Sequence, residues 1–233
     1  MSEPAMTRRV WDLPVRVVHW LLVIGIAGSY ATHKLGVAYF KYHLWFGYLV
    51  VVLAAFRILW GFVGTRHARF TKFLRGPRHT VAYLVALLRG AAQPTPGHNP
   101  PGGWMVIFLL CSLLAQGITG LFANDEIFNT GPLYGYASDS LSLTLTSWHR
   151  RLFDWILIAA ALHVLAVVAH RVFARHDLLG PMFTGRKPAS QLGEHDAISS
   201  SRLWLAVALL AGISAVLSWL VVRAPVPAVF GFE

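Results

Sequence analysis

Trp148-His-Arg-Arg-Leu-Phe-Asp-Trp-Ile-Leu-Ile-Ala-Ala-Ala-Leu-His163 decides the reading of this chain. It opens a run over about 148–173 that is long and apolar enough to cross a hydrocarbon core about 30 Å thick, which takes about 20 helical residues. His149 and His163 lie fourteen positions apart. At about 100° and 1.5 Å per residue, they return to nearly the same helix face about 21 Å further along. One imidazole then lies near each membrane surface, and an ionisable or metal-binding side chain in hydrocarbon marks a functional site by default.

Working outward, further spans occupy about 13–32, 44–63 and 104–123, with a fifth helix over 203–223. The whole chain agrees with this: 233 residues, 56% hydrophobic, 13% charged, mean hydropathy +0.55. So apolar a chain cannot bury its surface in one water-soluble domain, and a disordered or ordinary cytosolic protein is excluded. The fold class expected is an all-α integral membrane bundle. Residues 188–202, polar and Ser-rich, link it to the fifth helix, and 224–233 form a tail. Asp12 can cap the first span, with Pro14 in its opening turn. The N-terminal apolar run holds Arg16 and His19 and lacks a small-residue cleavage site, so it is expected as a retained anchor. Val81–Leu88, too short to span, suits a helix at the headgroups. Pro94, Pro96, Pro100 and Pro101 are expected to break the chain before span three, with Gly102-Gly103 as a turn.

The formal charge is +10, which in a membrane protein reports orientation rather than a nucleic-acid partner. Fourteen of the 20 Lys and Arg fall in the N-terminal segment, the 64–103 loop and residues 171–202. The opposite side holds Lys34, Lys41, Arg150, Arg151 and Arg223, and Arg57 lies inside span two. The N-terminus is therefore expected in the cytoplasm and the C-terminus in the periplasm, across a bacterial inner membrane. The lone Cys111 excludes a disulfide framework, and the lack of C-x-x-C-H excludes covalent c-type haem attachment.

Imidazole suits iron, copper or zinc, and two imidazoles from different helices, placed trans, are what a six-coordinate b haem requires. By depth, His19 near the inner start of span one meets His163, and His43 at the outer start of span two meets His149. His33, also near the outer surface, could replace His43 on depth alone. Gly47, one turn after His43, would leave room for a porphyrin edge.

Val10-Trp-Asp-Leu-Pro-Val-Arg-Val-Val-His-Trp20, His43-Leu-Trp-Phe-Gly-Tyr48, Arg57-Ile-Leu-Trp-Gly-Phe-Val-Gly64, Arg69-Phe-Thr-Lys-Phe-Leu-Arg-Gly-Pro-Arg78, Gly97-His-Asn-Pro100, Trp148-His-Arg150, Leu162-His163 and Thr184-Gly-Arg-Lys187 occur in order. Through them the chain, over about Val10–Lys187, resembles the bacterial cytochrome b561 and nickel-iron hydrogenase b-type cytochrome family. The resemblance implies a four-helix core over 1–187 that carries two non-covalent b haems, with His19, His43, His149 and His163 as axial ligands. The fifth span is outside that pattern. The function expected is transmembrane electron transfer between the membrane quinone pool and a periplasmic c-type cytochrome, hydrogenase or other dehydrogenase. Membrane lipid is a further partner, and a homodimer is permitted.

Arg16, Arg150 and Arg151 are propionate candidates beside the ligands, although the positive-inside rule explains Arg16 equally well. Arg57 either pairs a propionate or quinone oxygen or snorkels to the inner surface. The region of Arg57, Arg66 and His67 is the expected quinone location. Asp154 either carries protons or caps the helix start. His67, His79, His98, His170, His176 and His195 are expected to be solvated or headgroup-facing, Trp11, Trp20, Trp45, Trp60, Trp104 and Trp148 to form an aromatic belt, and Cys111 to be a small core residue. Two rival functions are a quinone oxidoreductase acting on superoxide or another small reductant, and a haem-free transporter or metal permease.

Overall fold

The computed structural model describes residues 6–173, 175–193 and 195–225. Its helices are α1 (Leu13–Lys34), α2 (Phe40–Val63), α3 (Phe70–Phe73), α4 (Pro77–Leu88), α5 (Pro100–Leu121), α6 (Asp139–Val172), α7 (Gly180–Thr184) and α8 (Leu203–Val222). Of these, α1, α2, α5, α6 and α8 are long and apolar enough to cross a membrane. Together they make the all-α, multi-pass membrane fold that the sequence leads one to expect.

Several boundaries differ from expectation. Helix α5 starts at Pro100, not at Trp104, and includes Pro101 and the Gly102-Gly103 pair. Proline lacks the N–H that a first helical turn leaves unpaired anyway, so it opens this helix rather than breaking the chain. Asn99 caps that turn, its Oδ1 accepting from the Gly102 N–H at 2.8 Å. Helix α6 starts at Asp139, nine residues before Trp148, because its first turns alternate leucine with Ser and Thr and continue the helix beyond the unbroken apolar run. The expected linker is partly ordered. Strand β1 (Thr7–Arg9) pairs antiparallel with β2 (Arg186–Pro188), Arg8 opposite Lys187, which adds a two-stranded ribbon to the helical fold.

The chain divides into two compact units. The first comprises Met1–Trp20, Arg57–Leu109 and Ile158–Val207. Its centre is Asp12, fully buried. One carboxylate oxygen caps α1 by accepting from the Val15 N–H at 2.7 Å, and the other accepts from Trp60 Nε1 at 3.2 Å and from the Thr65 hydroxyl. Trp11 and Trp60 are therefore core residues rather than belt residues, whereas Trp45, Trp104 and Trp148 are exposed and Trp20 is half-buried. The ribbon is extended by bonds from Ala189 N–H to Met6 O and from Ile198 N–H to Arg9 O. Helix α4 forms as expected and has no buried residue.

The second unit comprises Leu21–Phe56, Leu110–Leu157 and Ala208–Glu233. Val51, Leu121 and Leu133 form its buried cluster, against which Leu217, Leu220 and Val221 of α8 pack. This gives the fifth span a packing role. A Cβ at Gly28 would stand 2.5 Å from the Phe46 ring, so α1 and α2 approach closely through a missing side chain, as membrane helices commonly do. Cys111, expected in the core, is exposed on α5, since an apolar side chain in a membrane helix suits lipid as well as protein. The turn after α5 is held by Asp125, whose carboxylate accepts from the N–H groups of Ile127, Phe128 and Asn129.

Candidate functional site

In the second unit His43 on α2 and His149 on α6 face one another with ring centroids 6.3 Å apart. Each ring is anchored through Nδ1. His43 Nδ1 lies 2.9 Å from Ser29 O, and His149 Nδ1 lies 2.8 Å from Gln116 O. A carbonyl only accepts, so Nδ1 carries the proton in both rings and the Nε2 lone pair is left for a metal. Thr119 Oγ1 stands 3.5 Å from the same His149 nitrogen. A Cβ at Gly120 would come within 2.7 Å of His149 Cε1, so the bare backbone there is what admits the ring. A Cβ at Gly47 would meet nothing within 4 Å. His33 is exposed and its ring lies 6.2 Å from His43. Arg150, Arg151 and Asp154 are exposed on α6.

In the first unit His19 on α1 and His163 on α6 stand 6.4 Å apart, centroid to centroid. Their support is different. His19 Nδ1 is buried without a hydrogen-bond partner, and so is Arg16 Nε, one turn earlier on α1. Arg16 Nη1 donates to Phe183 O.

These separations can be tested against a metal centre. Imidazole nitrogen binds a metal at about 2 Å and the ring centroid lies about 1 Å behind that nitrogen, so two rings trans on one metal have centroids roughly 6 Å apart. Both pairs fit. A buried, unpartnered Arg16 Nε beside His19 is also a group in want of an anion, as a propionate would supply.

Other expected site residues have different surroundings. Arg57 is buried, donates to Ala68 O at 3.2 Å and lies over the Phe70 ring. It does not snorkel, because a backbone carbonyl and an aromatic face meet the guanidinium inside the fold. Arg66 donates to His195 O at 2.6 Å and pairs with Asp196, and His67 Nε2 reaches Asp196 O at 2.7 Å.

Three of the histidines expected to be solvated are drawn inside. His67 and His170 are buried, and His98 packs its ring edge against Trp11 with Nδ1 buried. Burial and the nearby positive charges of Arg57 and Lys187 push His98 well below the usual imidazole range. Asn99 Nδ2 donates to His170 Nε2 at 2.9 Å, while His170 Nδ1 lies 2.8 Å from Ala166 O. The signal for His170 is its position seven residues after His163, which keeps it on the same face of α6.

A family model described as prokaryotic cytochrome b561 matches residues 10–185. Three curated relatives share the name "Probable Ni/Fe-hydrogenase B-type cytochrome subunit". That from Rhizobium leguminosarum bv. viciae is 26% identical, covering 80% of this chain and 92% of its own length. That from Azotobacter vinelandii is 25% identical, with 76% and 86% covered. That from Rhodobacter capsulatus is 27% identical, with 76% and 80% covered. No solved structure matches the chain.

Proposed function

Because this chain belongs to the prokaryotic cytochrome b561 family, a family of b-type cytochromes that transfer electrons across membranes, we propose that it connects a periplasmic redox partner with the quinone pool through two b haems. Haem b and membrane electron transfer follow from the family itself, and they displace the haem-free permease as a reading. The observation that carries the two-centre proposal is that one helix, α6, supplies a histidine to each of two imidazole pairs, with centroids 6.3 and 6.4 Å apart.

In this reading His43 and His149 hold the outer haem, and His19 and His163 the inner one. Haems held by these residues would supply one-electron transfer, with two imidazoles offered at each site. The chain itself binds, orients and tunes. Ser29 O and Gln116 O fix the tautomer and rotation of the outer ligands, while Arg16 offers Nε to an inner propionate. Arg150 and Arg151, exposed on α6, are the candidates for outer propionates, and Arg57 for a propionate or a quinone oxygen on the inner side. The relatives' names make a nickel-iron hydrogenase the first partner to test, with c-type cytochromes and other dehydrogenases next. The Lys and Arg distribution supports a cytoplasmic N-terminus in the inner membrane.

The test is the dithionite-reduced minus oxidised visible spectrum of the detergent-solubilised protein, with haem counted per polypeptide. Two low-spin b haems are expected. One haem, or none after expression with ample haem supply, overturns the two-centre reading.

A further inference from the structure

The segment between α2 and α5 encloses a cavity of about 380 Å³ in the first unit, with Arg66, His67, Lys72, Arg75, His98 and Asp196 in its wall. Its charges do not balance. Asp196, the one carboxylate there, is taken up by Arg66 at 3.6 Å and by the Gly193 N–H at 2.9 Å. Lys72 and Arg75 have no carboxylate partner among the described residues. His98 contributes a buried Nδ1 with no hydrogen-bond partner. Phe73 supplies an apolar wall, its ring 4.5 Å from that of His98.

Burial lowers the affinity of His67 and His98 for protons, and Arg66, Arg57 and Lys187 lower it further, although the bond to Asp196 partly opposes this at His67. Lys72 and Arg75 are exposed at its rim and the His98 Nδ1 is buried in its wall, so three nitrogen groups without a carboxylate partner line one pocket. Several donors lining one pocket suit a tetrahedral oxyanion, which accepts bonds from ammonium, guanidinium and imidazole N–H together. Two residues after Arg75 begins α4, which exposes Val81, Leu84, Val85 and Leu88 and carries Arg78 and His79. A short basic amphipathic helix of this kind lies at the lipid headgroups.

We propose that this cavity is a phosphate-binding site, taking either the phosphate ester of an anionic phospholipid or free phosphate on Lys72, Arg75 and His98. The proposal uses none of the haem ligands, and Arg66 and His67 of the expected quinone location are engaged here by His195 O and Asp196. For a lipid headgroup, the occupant would tie the 64–103 segment to its own leaflet and neutralise the charge that Asp196 leaves over.

The test uses the full holoprotein in nanodiscs of phosphatidylcholine containing phosphatidylglycerol, with retained lipid counted by native mass spectrometry. Each basic side chain beside an anionic headgroup is worth about a factor of five. Lys72→Gln/Arg75→Gln should therefore retain phosphatidylglycerol about 25-fold less well, while Arg186→Gln, on a residue of the β1–β2 ribbon outside the cavity wall, should match the parent. Arg75→Gln alone, with about a fivefold loss, keeps the test readable if the double variant loses haem. In the second arm, inorganic phosphate is added to lipid-stripped protein in a non-ionic detergent and the thermal midpoint is followed. A rise in the parent that is absent in the double variant, with phosphatidylglycerol retention equal, identifies free phosphate as the occupant. Equal lipid retention together with no response to phosphate in either protein overturns the site.

Discussion

The two units hold their histidine pairs at the same separation by different means. Around His43 and His149 every Nδ1 is spent on a backbone carbonyl, and a glycine clears the space for one ring. Around His19 and His163 the fold leaves His19 Nδ1 and Arg16 Nε buried and unsatisfied, in the unit that bonds Asp12 on both carboxylate oxygens. One pair is oriented by the protein alone. The other has a ring nitrogen and a guanidinium nitrogen that no protein acceptor meets. Ring separation therefore reports what can bind, and the hydrogen bonds behind the rings report how firmly the site is formed beforehand.

The largest effect should come from removing ligands. His43→Ala or His149→Ala is expected to leave one haem per chain, as is His19→Ala or His163→Ala, with the spectrum of the surviving pair distinguishing the two cases. His33→Ala should leave two. If it leaves one, His33 rather than His43 or His149 is an axial ligand and the comparison fails. Folding controls belong with these variants, because a bundle that loses a ligand can also lose structure.

Next in size, Gly120→Ala drives a Cβ into His149 and should weaken haem retention in the second unit by about tenfold to a hundredfold, the range typical of ligand-orienting partners. Gly47→Ala meets no protein atom within 4 Å. Any haem loss it causes would place a porphyrin edge beside it, and parent-like retention would show that the edge lies elsewhere.

A carbonyl-bound Nδ1–H makes an imidazole a stronger donor to ferric iron. The His43/His149 centre should thus have the lower midpoint potential, by on the order of 60 mV, one decade for a one-electron couple. A potentiometric titration resolving two components, with assignments from the ligand variants, checks this. The reverse order would mean that burial outweighs ligand basicity.

The smallest effect concerns pH and belongs to the first unit. Lys187 is buried, with Nζ 2.8 Å from Thr95 O. Burial lowers its pKa to about 8, against a weaker pull upward from Asp177. The unfolded chain binds this proton more tightly, so the local structure gains stability as pH rises above about 8, roughly 1 kcal/mol between pH 8 and 9. The protection factors of the Arg186 and Lys187 amides, corrected for base-catalysed intrinsic exchange, should rise over that interval, and Lys187→Met should abolish the trend.

Much of this was legible in the sequence because the bilayer is a severe solvent. Twenty-residue apolar runs and the histidines inside them stand out against it, and the five spans follow. What the sequence hid lies where water and protein compete for the same side chain. His98 and His170 sit in segments polar enough to be read as solvated, yet Trp11 and Asn99 draw them inside. Arg57 resembled a snorkelling cation until Ala68 O and Phe70 were brought to it by the turn after α2. Helix α6 begins early because hydropathy reports the surroundings of side chains, whereas Asp139–Ser147, where Leu141, Leu143 and Leu145 alternate with Ser and Thr, continues the backbone hydrogen bonding without an unbroken apolar run.

The β1–β2 ribbon has a consequence in time. It joins Arg8 to Lys187, 179 positions later in the order of synthesis. A ribosome adding about 5–20 residues per second reaches the second strand roughly ten to forty seconds after the first has emerged. Until then Thr7–Arg9 has no strand to pair with, and the ribbon can close only after α6 has been made. The ribbon is therefore a late latch, and its closure would mark, in the growing chain, the point at which the four-helix portion has been completely translated.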